Sequence, residues 1–170
     1  IQAAKDFGAQ ITLVGRGEEI LSVLRKHNIE DLPDGVEIAN AEEVVDMHDD
    51  PARVIQRKKN SSMVVGLRML SEGAGDAFIS AGSTGALVVG ASLIVKRLKG
   101  VRRVGLATVI PNANKFYLLM DAGANAECRP EMLAQFGGMG SEYMERLKGV
   151  KNPRVGLINI GAEETKGLEL

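Results

Sequence analysis

The stretch Ser80-Ala81-Gly82-Ser83-Thr84-Gly85 puts glycines and hydroxyls where an apolar run (77–82) gives way to a long apolar helix (84–98). The unpaired N–H groups of a helix start attract anions, and glycines let a ligand approach the backbone closely. Gly82 and Gly85 supply that approach, Ser83 and Thr84 supply hydroxyl donors, and phosphate is the anion such a loop would coordinate. The spacing is neither a Walker loop nor G-x-G-x-x-G, so no nucleotide is implied. The same residues would also serve as a helix cap whose glycines are needed only for packing. The loop by itself leaves both readings open.

Other stretches add polar groups at the ends of apolar runs. In "RKKNSSM" (57–63), Arg57, Lys58 and Lys59 precede Ser61 and Ser62, which should cap the next helix. Cations beside a capped helix start favour an anion, although they also suit the C-terminus of the helix before them. Asp121, Gly123 and Asn125 follow one apolar run, and Gly161, Glu163, Glu164 and Lys166 follow another. Such groups either line a polar site or order a turn. The run "KRLKGVRR" (96–103), with Arg97, Lys99, Arg102 and Arg103, could dock an acidic protein or an anionic membrane surface, or simply complement a helix C-terminus.

The elements needed to position these residues alternate. Short apolar strands are expected at 10–15, 35–40, 77–82, 103–111, 115–123 and 154–161, with helices over 1–8, 18–27, 62–73, 84–98 and 130–147 and a further one starting at Asp50-Pro51. Asp50 can cap the third helix, with Pro51 in its first turn, and Pro130 suits the first turn of the last. Continuous rather than alternating apolar runs mark strands covered on both faces. The expectation is an α/β fold, three layers α/β/α around a mostly parallel sheet, in a single domain spanning 1–170.

Composition narrows the function classes. The chain has 170 residues, 45% hydrophobic and 25% charged, with a formal net charge of -1, so no global field points to nucleic acid. Cys128 is the single cysteine, and His27 and His48 are the only histidines, so neither a disulfide framework nor a Cys- or His-based metal site is expected. The longest apolar stretch (86–95) is too short to cross a bilayer. The first residue is Ile1, inside an expected helix, and "GAEETKGLEL" reads as a helix just beginning, so both ends are expected to be cut.

Taken together, "RKKNSSM", "DAFISAGSTGALVVGASLIVKRLKGVRR", "LLMDAGANAECRPEMLAQFGGMGSEYMERLKGV" and "NPRVGLINIGAEETKG" resemble the bacterial phosphate acyltransferases of phospholipid synthesis, the PlsX family. The resemblance is close over 53–170 and looser before. It implies attack of inorganic phosphate on the thioester of a long-chain acyl-acyl carrier protein, giving acyl phosphate and free carrier protein. It also implies a fold like that of the isopropylmalate-dehydrogenase group, a homodimer, and a cytoplasmic enzyme that associates peripherally with the membrane, with no metal or organic cofactor. Carried onto this sequence, Gly82, Ser83, Thr84 and Gly85 would bind phosphate, with Ser61 and Ser62 as a second phosphate-binding group. Lys59, Asp121 and Asn125 would be the catalytic set, and the basic run would dock the carrier protein or membrane. Ser83 stands where the family pattern "SAGNTGA" has asparagine, and the family's opening "D-x-M-G-G-D" turn and C-terminal half are absent here. Rival readings are a phosphotransacetylase or dehydrogenase-like enzyme on the related fold, or a non-catalytic module that binds acyl carrier protein.

Overall fold

The computed structural model describes residues 1–113 and 115–158, and the chain divides into two compact units, Ile1–Lys96 and Arg97–Leu170.

The first unit opens with α1 (Gln2–Phe7), stopped by Gly8 in the left-handed conformation. β1 (Ile11–Gly15), α2 (Gly17–Lys26) and β2 (Val36–Asn40) then form a strand–helix–strand unit in which the strands pair in parallel, Ile11 opposite Val36 through Gly15 opposite Asn40. At the strand ends the Asn40 side chain accepts from the Gly17 N–H at 3.0 Å, giving α2 its N-terminal partner. The line of β2 continues to one further parallel pairing, Glu43 with Ser61.

Three helices carry the core of this unit: α3 (Pro51–Arg57), α4 (Ser62–Ser71) and α5 (Thr84–Gly90). Val54, Ile55, Met63, Val64, Leu67 and Ala86 are buried together, with Phe78 and Ile94 packed against them. Two glycines let the helices close up. A Cβ on Gly66 would lie 2.2 Å from the Phe78 ring, and one on Gly90 would lie 2.6 Å from Leu67 Cδ1. The expected helix over 84–98 is α-helical only to Gly90, continues as a π-helix over Ala91–Val95, and stops there. Ser92 donates to the Val88 carbonyl at 2.8 Å, a back-bond that loosens the helical ladder where the π segment begins.

The second unit contains β3 (Thr108–Pro111) and β4 (Phe116–Leu119), paired antiparallel, and α6 (Pro130–Lys148). Met132, Phe136 and Met144 are the buried positions of α6, spaced to lie on one face. A Cβ on Gly105 would lie 2.9 Å from both Met120 and Phe136, so the segment before β3 packs tightly on that face.

The α/β class is as expected, but the strands are fewer and shorter. Residues 77–82 form no strand: they cross α4 as an irregular segment pinned by Phe78 over Gly66. The expected strands over 103–111 and 115–123 shrink to the hairpin β3–β4, so among the described residues parallel pairing is confined to β1, β2 and the Glu43–Ser61 bridge. Residues 154–158 are also not a strand, and the rest of that expected element lies outside the described residues, as do Gly161, Glu163, Glu164 and Lys166. No helix among the described residues is long and apolar enough to cross a membrane.

Candidate functional site

In the first unit, helix starts converge on the loop 80–85. From Phe78 on Gly66 the chain runs back along α4, so that Gly82 sits against Met63, with a would-be Cβ 3.6 Å from Met63 Cε. The turn is locked locally by the Gly82 N–H donating to Ser80 Oγ at 3.2 Å. Ser83 then caps α5: it is buried, and its Oγ accepts from the Ala86 N–H at 3.3 Å. Gly85 meets Pro51, where a Cβ would lie 3.0 Å from Cγ of the proline ring, and Gly90 meets Ile55. α3 and α5 therefore run side by side in the same direction, with their starts adjacent.

Each of these helices is capped by its own side chain. Asp50 Oδ1 accepts from the Ala52 N–H at 2.9 Å at the start of α3. Ser61, fully buried, accepts from the Val64 N–H at 3.4 Å at the start of α4, while its own Oγ donates to the Lys58 carbonyl at 2.8 Å. Ser61 is thus the cap; Ser62 is the first helical residue, and its N–H donates to the Glu43 carbonyl at 3.2 Å.

What remains available is at α5. The successive N–H groups of Ser83, Thr84 and Gly85 have no partner among the described residues, and Thr84 and Gly85 are exposed. Such a row of donors at a helix start is suited to an anion. Lys59 is exposed and has no partner among the described residues, whereas its neighbour Lys58 is engaged, donating to Asp49 Oδ2 at 2.6 Å and to the Val44 carbonyl at 2.9 Å. The Lys58 ammonium first, then the Asp46 N–H, hold the Asp49 carboxyl below the usual carboxylate range.

Asp121 and Asn125 form a separate group, within the second unit. Asp121 Oδ1 accepts from the N–H groups of Leu106 (2.7 Å) and Ala124 (3.1 Å). Its Oδ2 accepts from the Asn125 N–H (2.7 Å) and the Asn125 side-chain amide (3.1 Å), which also donates to the Val104 carbonyl at 2.9 Å. Partial burial by itself would raise the Asp121 pKa, but these donors, led by the Leu106 N–H, outweigh it and hold the carboxyl below its ordinary value. The pair ties residues 104–106 to the turn after β4.

The basic run is exposed at Arg97, Lys99, Arg102 and Arg103. Arg97 donates to the Arg102 carbonyl, and Gln135 of α6 clasps the turn, accepting from the Arg102 N–H at 3.0 Å and donating to the Gly100 carbonyl at 2.8 Å.

Sequence reading missed the scaffold of this arrangement. Glu43, Asp49 and Lys58 join residues 43–50 to 58–62, and Gly66 seats Phe78. The Asp50-Pro51 and Ser61 caps were legible as local patterns; the pairing of Pro51 with Gly85 across the chain had no local signal.

Fold and site together define an α/β protein with an anion-suited helix start. Residues 1–170 match the family described as "Fatty acid synthesis protein", and the chain belongs to that family. Among its curated relatives is a phosphate acyltransferase of Clostridium botulinum (strain Loch Maree / Type A3), 48% identical over 171 residues, covering 100% of this chain and 50% of the relative. Phosphate acyltransferases of Clostridium kluyveri (45% identical over 170 residues, 100% of this chain) and Desulforamulus reducens (47% over 168 residues, 99% of this chain) are similar to it, each over 50% of its own length. The chain thus spans about half the length of the curated relatives it matches.

Proposed function

We propose that this chain forms the phosphate-receiving part of an acyltransferase that moves a long-chain fatty acyl group from acyl-acyl carrier protein to inorganic phosphate, supplying acyl phosphate for phospholipid synthesis. The observation that carries the reading is the row of N–H groups at Ser83, Thr84 and Gly85 without a partner among the described residues, with exposed Lys59 and Arg57 as the cations of "RKKNSSM" left unengaged among those residues, in a chain whose relatives are named phosphate acyltransferases.

Phosphate is already a nucleophile, so no activated serine or cysteine is required. The protein's task is to strip water from the anion, aim it, and stabilise the oxyanion that forms on the thioester carbon. In this reading Gly82, Ser83, Thr84 and Gly85 hold the phosphate, Ser61 and Ser62 fix the neighbouring helix start, and Lys59 offsets charge. A phosphate oxygen bonds to the acyl carbon, the C–S bond breaks, and the carrier thiolate leaves and takes a proton. Asp121 and Asn125 act by holding their turn in shape. Arg97, Lys99, Arg102 and Arg103 face solvent as a dock for the acidic carrier protein or an anionic membrane surface, in a cytoplasmic homodimer. The β1–α2–β2 unit suits a single α/β domain with the three-layer, dehydrogenase-like architecture.

The test is to incubate the protein with acyl-acyl carrier protein and phosphate and trap acyl phosphate with hydroxylamine. Phosphate-dependent hydroxamate that falls in Thr84→Ala supports the reading; its absence from the protein at its full natural length overturns it.

A further inference from the structure

The lysine pair in "RKKNSSM" is divided by the structure into two different jobs, and the engaged one sits at the joint between two helix caps. The Lys58 ammonium spans residues 44–49, donating to the Val44 carbonyl at 2.9 Å and to Asp49 Oδ2 at 2.6 Å. Asp49 Oδ2 in turn accepts from the Asp46 N–H at 2.7 Å, which closes the turn leading to Asp50, the cap of α3. The Lys58 carbonyl accepts from both the Ser61 N–H (3.2 Å) and Ser61 Oγ (2.8 Å), which sets Ser61 as the cap of α4. Lys58 and Asp49 are the more sheltered of the ion pairs here, with side chains 31% and 26% exposed, where Arg146 and Glu142 are 80% and 64% exposed. The latch is partly sheltered rather than fully exposed to solvent. Glu43 adds a parallel strap, its carboxylate accepting from the Asn60 N–H at 2.8 Å.

We infer that Lys58, held by Asp49, is a positioning residue: it locks the caps of α3 and α4 in one register, and so holds the loop 80–85, which rests on Pro51 and Met63, in the shape that receives the anion. The inference rests on the phosphate-site reading of that loop. Lys58 itself touches no substrate, and Lys59, exposed and without a partner among the described residues, stays open to the ligand. Methionine keeps much of the length and apolar stem of lysine but removes the ammonium, so Lys58→Met frees residues 44–49 from 58–61 without opening a large void. Misplacement by about an ångström at such a site costs on the order of tenfold to a hundredfold in productive binding.

The protein at its full natural length serves for the test, with inorganic phosphate as the titrated probe. Lys58→Met and Asp49→Asn should each raise the KM for phosphate about tenfold with a smaller change in kcat. The double variant should be hardly worse than either single one, because the two residues act as one latch. Lys58→Arg should restore most of the affinity by remaking the ion pair. Amide exchange of residues 61–64 should quicken in Lys58→Met while that of α6 stays unchanged, which separates unlatching from global loss of fold. Wild-type KM in Lys58→Met, or additive losses in the double variant, would overturn the inference. A wild-type protein with no phosphate dependence would instead sink the phosphate reading, and the inference with it.

Discussion

The loop 80–85 and the Asp121 turn contain similar residues and handle them in opposite ways. Around Asp121 polar capacity is consumed internally: both carboxylate oxygens accept two donors each, and the Asn125 amide is divided between Asp121 and the Val104 carbonyl. At 80–85 the internal needs are met by buried Ser83 and by Ser80, and the N–H donors of Ser83, Thr84 and Gly85 are left over among the described residues. A polar residue after an apolar run is thus no guide to its role until its partners are counted. A saturated carboxylate holds a turn; surplus donors on a rigid, capped frame are what a ligand can use.

Mutations can break each side of that contrast. The largest effect is expected from Gly66→Ala, since its Cβ would meet the Phe78 ring at 2.2 Å. The overlap should cost about 1–3 kcal/mol in urea unfolding and shift the segment that leads into the loop. Phe78→Leu in the same background should recover part of the loss by making room.

Asp121→Ala should come next, at roughly 1–3 kcal/mol, because it strands the Leu106 and Ala124 N–H groups in a partly buried turn. Its pH dependence has a definite sign. The folded pKa of Asp121 lies below the unfolded one (about 3.9), so its contribution is fully present above that unfolded value and is lost as pH falls through the lower folded pKa. Acid unfolding curves of Asp121→Asn should therefore be flatter than wild type below about pH 4; curves that superimpose would show that the carboxylate does not hold the turn.

Removing the caps should do less, and should do it locally. Ser61→Ala and Ser83→Ala each lose one cap, worth about 1 kcal/mol by thermal unfolding. Ser61 should be the worse of the two, since its hydroxyl also donates to the Lys58 carbonyl and it is fully buried. Lys59→Ala should change stability by under about 0.5 kcal/mol, as befits an exposed side chain with no partner among the described residues, while weakening phosphate binding. A large stability loss there would place Lys59 in the frame rather than at the ligand.

The parts legible in sequence were the local ones. Asp50-Pro51 and Ser61 are short-range capping patterns, and each caps the helix it was expected to cap, because the physics of a helix start is contained within a few residues. The α6 span from Pro130 was legible for the same reason. The apolar run 77–82 was misleading: it forms no strand, half-buried Phe78 packs over Gly66 while Ile79 stands exposed, and composition alone does not distinguish this from a strand. The helix over 84–98 was overextended because nothing in "ASLIV" announces a shift to π geometry. Lys58 and Lys59 look alike in sequence, and only the long-range partner Asp49 distinguishes them.

The most direct test of the contrast is to follow backbone amide resonances while inorganic phosphate is titrated in. The account predicts saturable shifts at Ser83, Thr84 and Gly85, with Leu106, Ala124 and Asn125 unmoved. Shifts confined to the Asp121 turn, or none at residues 83–85, would contradict it.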